Sequence, residues 1–301
     1  MKKNTKSNVA NRQKVLIFGS RGMLAGDLIV SFKKDGFLVI GVDKDVCDIT
    51  KEESVRLIIN QTKPNLIINT AVLQNLDECD NNPVATMMVN AIGPSFIAKH
   101  SGKLGIPFVQ LSTIYVFEGN KPSYYTEDDR PNPVNVYGIT KLNAEYFTKL
   151  YNPKNYIIRT NFLFGKNYNP KITKTGNFVQ RILLLARQNS ELKVVTDQII
   201  SATYTKDLAE TILKIVKTDK YGTYHVTNSG HTSLYDFTKK ILELAKLKNQ
   251  VNIKGVKLAD FSQTAKRPQY TIARSVKLSS IGIKAPRSWQ DALSAYLDEI
   301  G

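Results

Sequence analysis

Cysteine is scarce: Cys47 and Cys79 are the two in 301 residues, and neither sits in a Cys-x-x-Cys or beside other ligating side chains. Two thiols build no disulfide framework, and with three scattered histidines (His100, His225 and His231) they build no structural zinc site either, so no metal is expected. Long apolar runs are missing as well. Nowhere do about 18 consecutive apolar residues occur, so no membrane span is expected. The basic opening, MKKNTKSNVANRQK, leads into a strand-like run without an apolar signal core, which argues against secretion and for a reducing, cytoplasmic setting. Acidic residues are few, 26 against 42 Lys and Arg, which leaves a net charge of +16. Such an excess raises the question of nucleic acid, whose phosphates attract clustered cations. The lysines are instead dispersed along the whole chain, so a solvated lysine surface is the simpler reading and no nucleic-acid partner is expected. An anionic small ligand is a third use for a few of these charges.

The remaining composition, 42% hydrophobic and 23% charged, is that of a globular α/β chain. Residues 1–12 read as a basic, flexible tail. Lys14 to Gly19 (KVLIFG) is a short branched run that stops at glycine, as a buried parallel strand does. Met23 to Lys34 has helical spacing, with Leu24, Leu28 and Phe32 on one face. Strands at Phe37–Asp43, Asn65–Asn69 and Phe108–Ser112 alternate with helices at Glu52–Asn60 and Pro83–Leu104. This beat predicts right-handed βαβ units and a doubly wound parallel sheet. Beyond about Gly165 the rhythm loosens. Lys166–Gly176 reads as a polar loop, Phe178–Gln188 as an amphipathic helix, Leu192–Thr196 as a strand and Lys206–Lys217 as a helix. The expected organisation is a dinucleotide-binding domain over 13–165, with 192–225 added to it, and a smaller interleaved α/β substrate domain from 166–191 and 226–301.

The first strand turns into the first helix through Gly19-Ser-Arg21-Gly22-Met23-Leu24-Ala25, a G-x-x-G-x-x-A relative of the dinucleotide fingerprint. Glycines allow the tight turn and close backbone approach, Ala25 allows close helix–strand packing, and free amides at the helix start face a pyrophosphate. Glycines mark many ordinary βα turns, but here Asp43 ends the second strand about twenty residues on, where an acidic side chain binds the adenosine ribose hydroxyls. Asp43 repels a 2′-phosphate and favours NADH, whereas Arg21 and Lys44 suit one and favour NADPH. Both cofactors therefore stay open.

Tyr137-Gly-Ile-Thr-Lys141 sets a phenol and an ammonium on one face of a helix. An adjacent cation favours the phenolate and brings the phenol into the range useful for proton transfer. In a chain with 14 tyrosines and many lysines this spacing also arises by chance as a surface pair. Its context argues otherwise, because FVQLSTIYVF places Ser112 and Thr113 at the carboxyl end of a parallel strand, where open α/β sheets bind ligands.

Together these residues resemble the extended short-chain dehydrogenases/reductases, and specifically the dTDP-4-dehydrorhamnose reductase group. The resemblance runs from about Lys14 to the end, through NTAVLQNLDECDNNP (69–83), VNAIGP (89–94), LSTIYVFEG (111–119), PNPVNVYGITKLNAE (131–145), IIRTNFLFG (157–165), DQIISATYTKDLAE (197–210), GTYHVTNSGHTSLYDF (222–237) and RPQYTIARSVKL (267–278). It implies NADPH- or NADH-dependent reduction of the C4 keto group of a nucleotide-activated 4-keto-6-deoxy sugar, most simply dTDP-4-dehydro-L-rhamnose, with Thr113, Tyr137 and Lys141 as the catalytic trio. It further implies Gly19, Arg21, Gly22, Met23, Leu24, Asp43, Asp48, Ile49, Asn69, Ala71 and Ser112, together with Tyr137 and Lys141, around the cofactor. Val72, Thr113, Tyr115, Phe162, Asn177 and Arg267 fall near the sugar nucleotide. For Asn69 the alternative is a strand-end turn residue, and for Arg267 an interface ion pair.

The chain departs from the family at three places. Ile114 stands where an Asp usually follows the Ser-Thr pair, Arg-Thr-Ser-Trp reads Arg159-Thr160-Asn161-Phe162, and the glycine loop has Met23-Leu24 for Gln-Leu. These changes leave the proton and hydride chemistry in place and open the sugar's identity. Asp77, Glu78 and Asp80 form an acidic patch that suits a divalent ion, a homodimer partner or, most simply, solvent. Trp289 reads as a packing residue and His225 as a strand-capping one. The rivals to a reductase of this sugar are a reductase or epimerase of another nucleotide sugar, and a cofactor-binding regulatory scaffold without catalysis, which has no need of Thr113, Tyr137 and Lys141 together.

Overall fold

The computed structural model describes residues 12–169, 176–248, 250–260 and 264–301; nearly all of the expected basic tail, and part of the polar loop after Lys166, fall outside them. Five strands rich in Val, Ile and Leu come first: β1 (Lys14–Phe18), β2 (Leu38–Val42), β3 (Leu66–Asn69), β4 (Phe108–Thr113) and β5 (Asn155–Thr160). With Gly222–His225 they form a six-stranded sheet in the order Gly222–His225, β5, β4, β3, β1, β2. Every pairing in it is parallel. The order in which strands are added reverses between β1 and β3, so helices cover both faces and a crevice opens at the carboxyl ends there.

Burial on both faces explains why β3, β4 and β5 read as apolar runs and not as alternating strands. One face packs Ala25, Leu28 and Phe32 of the helix Met23–Lys34 and Leu208, Ile212 and Ile215 of the helix Thr205–Val216 against Val15, Ile17 and Ile158. On the other, Val55, Ile59 and Ile97 pack against Leu16, Phe18 and Ile67.

The strand Glu191–Val195 does not join this sheet; it pairs in parallel with Asn252–Val256. Of the segment 192–225, the helix Thr205–Val216 and the strand Gly222–His225 pack with the large sheet, while residues before Tyr204 serve the smaller unit. Polar and glycine-containing Gly222-Thr-Tyr-His hides its place in the sheet, whereas apolar Leu192 and Val194 face a second core. That core is aromatic. Phe164, Phe237, Tyr204 and Tyr296 cluster there, and Trp289 meets Phe237 edge to face at 5.5 Å.

The long helix expected over Pro83–Leu104 is three segments: Pro83–Met87, a π-helical turn at Met88–Ile92, and Gly93–Lys103. The π turn widens the helix around Asn90. Asn90 Oδ1 accepts from Leu73 N–H at 2.8 Å and its amide donates to Leu73 O at 2.8 Å, which fixes the chain leaving β3.

Between the helix Val136–Tyr151 and the sheet lies a buried ion pair. Arg159 of β5 donates to Glu145 through Nε at 2.8 Å and Nη2 at 2.7 Å, and Ser112 Oγ of β4 donates to Glu145 at 2.5 Å. Both charged side chains are under 5% exposed. Removing one partner strands the other charge in the core. Arg159→Met is therefore expected to lower the unfolding free energy by about 3–5 kcal/mol, read as a lower urea midpoint at unchanged slope; a midpoint within error of the parent contradicts this account of the junction.

Candidate active site

At the end of β1 the chain turns on Gly19, whose φ of +74° lies in the left-handed region. A Cβ there would sit 2.6 Å from Ala71 N, so only glycine lets the turn lie against the strand end of β3. Gly19 and Ser20 both donate to Val42 O, at 3.0 and 3.1 Å. The helix Met23–Lys34 then begins with no side-chain cap, leaving first-turn N–H groups for an external acceptor. Asp43 is fixed at the end of β2 by accepting Arg21 N–H at 3.1 Å and Lys44 N–H at 2.9 Å. Asp48 accepts from the Thr50 amide and hydroxyl, and these bonds hold its carboxyl below the usual range.

Tyr137 owes its place to the cap of its helix. Asn135 Oδ1 accepts from Gly138 N–H at 2.8 Å, which sets Tyr137 in the first turn and Lys141 one turn later. Gly138 itself lies so near the segment after β4 that a Cβ would fall 2.2 Å from Tyr115 O. The Tyr115 and Tyr137 rings meet edge to face at 6.0 Å. Thr113 is the last residue of β4; its hydroxyl accepts from Tyr115 N–H at 3.1 Å and lies close enough to the Tyr137 phenol to favour its anion.

Electrostatics here differ from the expectation of a phenolate favoured by its lysine. Burial pushes the Tyr137 phenol well above the ordinary tyrosine value, and the Thr113 hydroxyl opposes this only in part. Tyr137 is thus a neutral phenol. Burial also lowers the Lys141 ammonium to about 8, with Glu145, one turn along, pulling the other way. Desolvation disfavours the charged form of each group and outweighs their helical proximity.

These parts line one cavity of about 740 Å³. Gly19, Arg21, Gly22, Met23, Leu24, Asp43, Asp48, Ile49 and Ala71 border it from the glycine turn to β3, and Ser112, Thr113, Tyr137 and Lys141 from β4 and the helix. Val72, Tyr115, Phe162 and Asn177 complete its lining, Phe162 and Asn177 on the side of the smaller unit. The groups expected for a dinucleotide fit this space: a glycine cradle, an uncapped helix start and a fixed carboxylate at the end of β2.

Two candidates are not among its walls. Asn69 is fully buried at the end of β3, where its amide donates to Gln110 and its oxygen accepts from Ala71 N–H, so it shapes the wall from behind. Arg267 pairs with Asp77 at 3.0 Å, and Asp77 also accepts from Thr264 and Ala265 amides. With Asp80 accepting Val136 N–H, the acidic patch is largely engaged within the chain. No group of three metal-ligating side chains occurs among the described residues.

Phe162 has a left-handed φ of +41°, unusual for an aromatic residue, and its ring lies against Phe178 at 5.1 Å and Phe237 at 6.0 Å. Asn177 caps the helix Phe178–Gln188 and donates to Gly165 O and to Tyr296 Oη. His225 ends its strand inside the protein, with Nδ1 3.2 Å from Tyr125 O, and burial pushes its imidazolium down to about 4. Sequence reading missed Asn90, Glu145 and Gln198, the last placed 3.4 Å from Tyr115 Oη. The one available signal was Glu145 four residues beyond Lys141, on the same helical face.

The sequence profile described as RmlD substrate binding domain matches residues 13–301. The chain belongs to the dTDP-4-dehydrorhamnose reductase family. It is 33% identical to a dTDP-4-dehydrorhamnose reductase of Aggregatibacter actinomycetemcomitans, over 93% of this chain and 97% of that one. It is 35% identical to the spore coat polysaccharide biosynthesis protein SpsK of Bacillus subtilis, over 95% and 97%. Among solved structures, dTDP-4-dehydrorhamnose reductase from Bacillus anthracis in complex with NADP superposes with a TM-score of 0.90 at 34% identity, covering 96% of this chain and 99% of that one. The family's α/β fold is the one described above.

The glycine turn yields a prediction of its own. Gly19→Ala must shift either its φ or the β3 end, at a cost of about 1–3 kcal/mol. Thermal unfolding of the variant is expected several degrees below the parent, and an unchanged midpoint removes the steric requirement.

Proposed function

We propose that this chain reduces the C4 keto group of dTDP-4-dehydro-L-rhamnose with NADPH or NADH, giving dTDP-L-rhamnose. The observation that carries this reading is the opening of Thr113, Tyr137 and Lys141 into the same cavity as the glycine turn and Asp43. A regulatory scaffold needs the second set and not the first. The nicotinamide, when bound, supplies the hydride. Tyr137 Oη gives the proton to the sugar's C4 oxygen, and its neutral, buried state keeps that proton available. Thr113 hydroxyl holds the reacting carbonyl beside Tyr137. Lys141, as an ammonium, binds the nicotinamide ribose and offsets the negative charge left on the Tyr137 oxygen. Gly19, Gly22, Met23 and Leu24 border the pyrophosphate, Asp43 the adenosine ribose, and Asp48 and Ile49 the adenine. Ala71 and Ser112 flank the nicotinamide, and Val72, Tyr115, Phe162 and Asn177 the sugar nucleotide.

We place the enzyme in the cytoplasm. Buried, unpaired Cys47 and Cys79 suit a reducing compartment, and among the described residues no helix is long and apolar enough to cross a membrane. A homodimer belongs to the same reading, supported by Ile139, Tyr146 and Leu150 exposed along one face of the Tyr137 helix.

The test is oxidation of NADPH and NADH with dTDP-4-dehydro-L-rhamnose generated in situ. Rapid, sugar-dependent loss of nicotinamide absorbance is expected; tight cofactor binding without oxidation rejects this sugar. Tyr137→Phe is expected to reduce turnover about 10²–10⁴-fold with cofactor affinity nearly unchanged, and retained turnover rejects the proton-donor role. Lys141 loses its charge as pH rises through about 8. Affinity of the free enzyme for reduced cofactor is therefore constant on the acid side of that value and falls above it, while Tyr137 stays protonated throughout. A titration series flat well past the midpoint contradicts the ribose-binding role of the ammonium.

A further inference from the structure

The rim of the cavity at the end of β2 is crowded with charge. Asp43, Asp45 and Asp48 stand there with Arg21 and Lys44. Each Asp43 oxygen already accepts one backbone N–H, and each keeps a lone pair for a ribose hydroxyl. Arg21 lines the cavity, but its guanidinium is engaged: Nη2 donates to the Asp45 carboxylate. Asp45 is not a cavity wall, so it draws the guanidinium toward a partner outside. Arg21 in turn holds the Asp45 carboxyl below the usual range. Lys44 lies close enough to Asp48 to favour that carboxylate as well. The guanidinium of Arg21 is thus already faced by a carboxylate.

The two nicotinamide cofactors differ here and nowhere else. A free 2′-hydroxyl donates to Asp43 and needs no cation. A 2′-phosphate brings close to two negative charges beside Asp43 and needs a compensating donor. The planar guanidinium of Arg21 is the donor on this rim that suits a phosphate. We infer that Asp45 is a specificity-determining residue for the cofactor: by pairing with Arg21 it withholds the guanidinium from a 2′-phosphate and biases the site toward NADH. This rests on the reading of Asp43 as the adenosine-ribose ligand. The pair is exposed, with 43% and 56% of the two side chains accessible, so it acts as a competitor for Arg21 and not as a lock. NADPH binds by displacing Asp45.

Fluorescence titration of the full chain with NADH and NADPH tests this without any sugar. The parent is expected to bind NADH more tightly. Asp45→Ala, a change at an exposed side chain, is expected to tighten NADPH about three- to tenfold and to leave NADH unchanged. Adding Arg21→Ala to Asp45→Ala is expected to erase that gain. A parent that prefers NADPH, an Asp45→Ala variant that alters neither nucleotide or both alike, or a gain that survives loss of Arg21 each overturns the inference. Binding of neither nucleotide by the parent defeats the oxidoreductase reading itself, whereas tight binding of both with no response to Asp45→Ala defeats only the role of Asp45.

Discussion

The buried contact between Glu145 and Arg159 is the constraint on which the site's geometry depends. It joins the Tyr137 helix to β5, takes a hydrogen bond from Ser112 at the end of β4, and places Arg159 3.5 Å from His225 on the neighbouring strand. Four elements thus meet at one ion pair, three of them at the carboxylate itself. A buried ion pair of this kind is weak evidence for stability, because desolvating two charges offsets most of their attraction. Its contribution here is positional. A helix resting on apolar contacts alone can rotate or slide with little penalty, since those contacts have no direction. A bidentate Arg–carboxylate contact fixes both rotation and height, and with them the face that carries Tyr137 and Lys141.

The same carboxylate has an electrostatic consequence. Lys141 is buried deeply enough to lower its ammonium to about 8, and Glu145 is the acidic group that pulls the other way. Without a carboxylate one turn away, desolvation acts on the lysine unopposed and neutrality of the amine moves closer to physiological pH. Tyr137 experiences burial in the opposite sense, because its charged form is the anion. The cavity therefore divides two helical neighbours into a phenol that keeps its proton and an amine that barely keeps its own. Reduction of a carbonyl needs that division: one group to give a proton to oxygen, another to hold a positive charge beside a polyanionic cofactor.

Much of this was legible in the sequence. KVLIFG followed by G-x-x-G-x-x-A and an Asp at the next strand end specifies a local structure almost alone, since each residue answers a steric or electrostatic demand within a short span. The helix starting at Val136 is similar, because Asn135 caps it and Gly138 is required by the approach of Tyr115. Features that depend on distant partners were not legible. Asn69 looks like a groove residue from its position at a strand end, yet a buried amide must find hydrogen bonds, and Gln110 and Ala71 supply them. Gly222–His225 lacks the composition of a central strand, and only its parallel pairing with β5 reveals it. The expected lowering of the Tyr137 pKa by Lys141 meets a comparable limit: helical spacing gives the distance to a cation, while burial, which raises that pKa, is a property of the whole fold.

The smaller unit contributes more than a cover. Asn177 bonds Gly165 O, caps its own helix and reaches Tyr296 of the C-terminal helix, with Met23 Sδ of the glycine turn 3.7 Å away. Phe162, next to these contacts, holds a left-handed backbone between the Phe178 and Phe237 rings, and its carbonyl accepts from Thr203 N–H at 3.1 Å. An aromatic residue in that conformation persists when packing overdetermines it. The cavity wall formed by Phe162 and Asn177 is thus shaped by the aromatic core of the smaller unit and tied through Asn177 to the glycine turn. A shift in that core changes the Phe162 side of the cavity while leaving the Tyr137 helix fixed on Glu145 and Arg159. This separation lets a change at Phe162 alter the shape of the cavity without disturbing Tyr137 and Lys141.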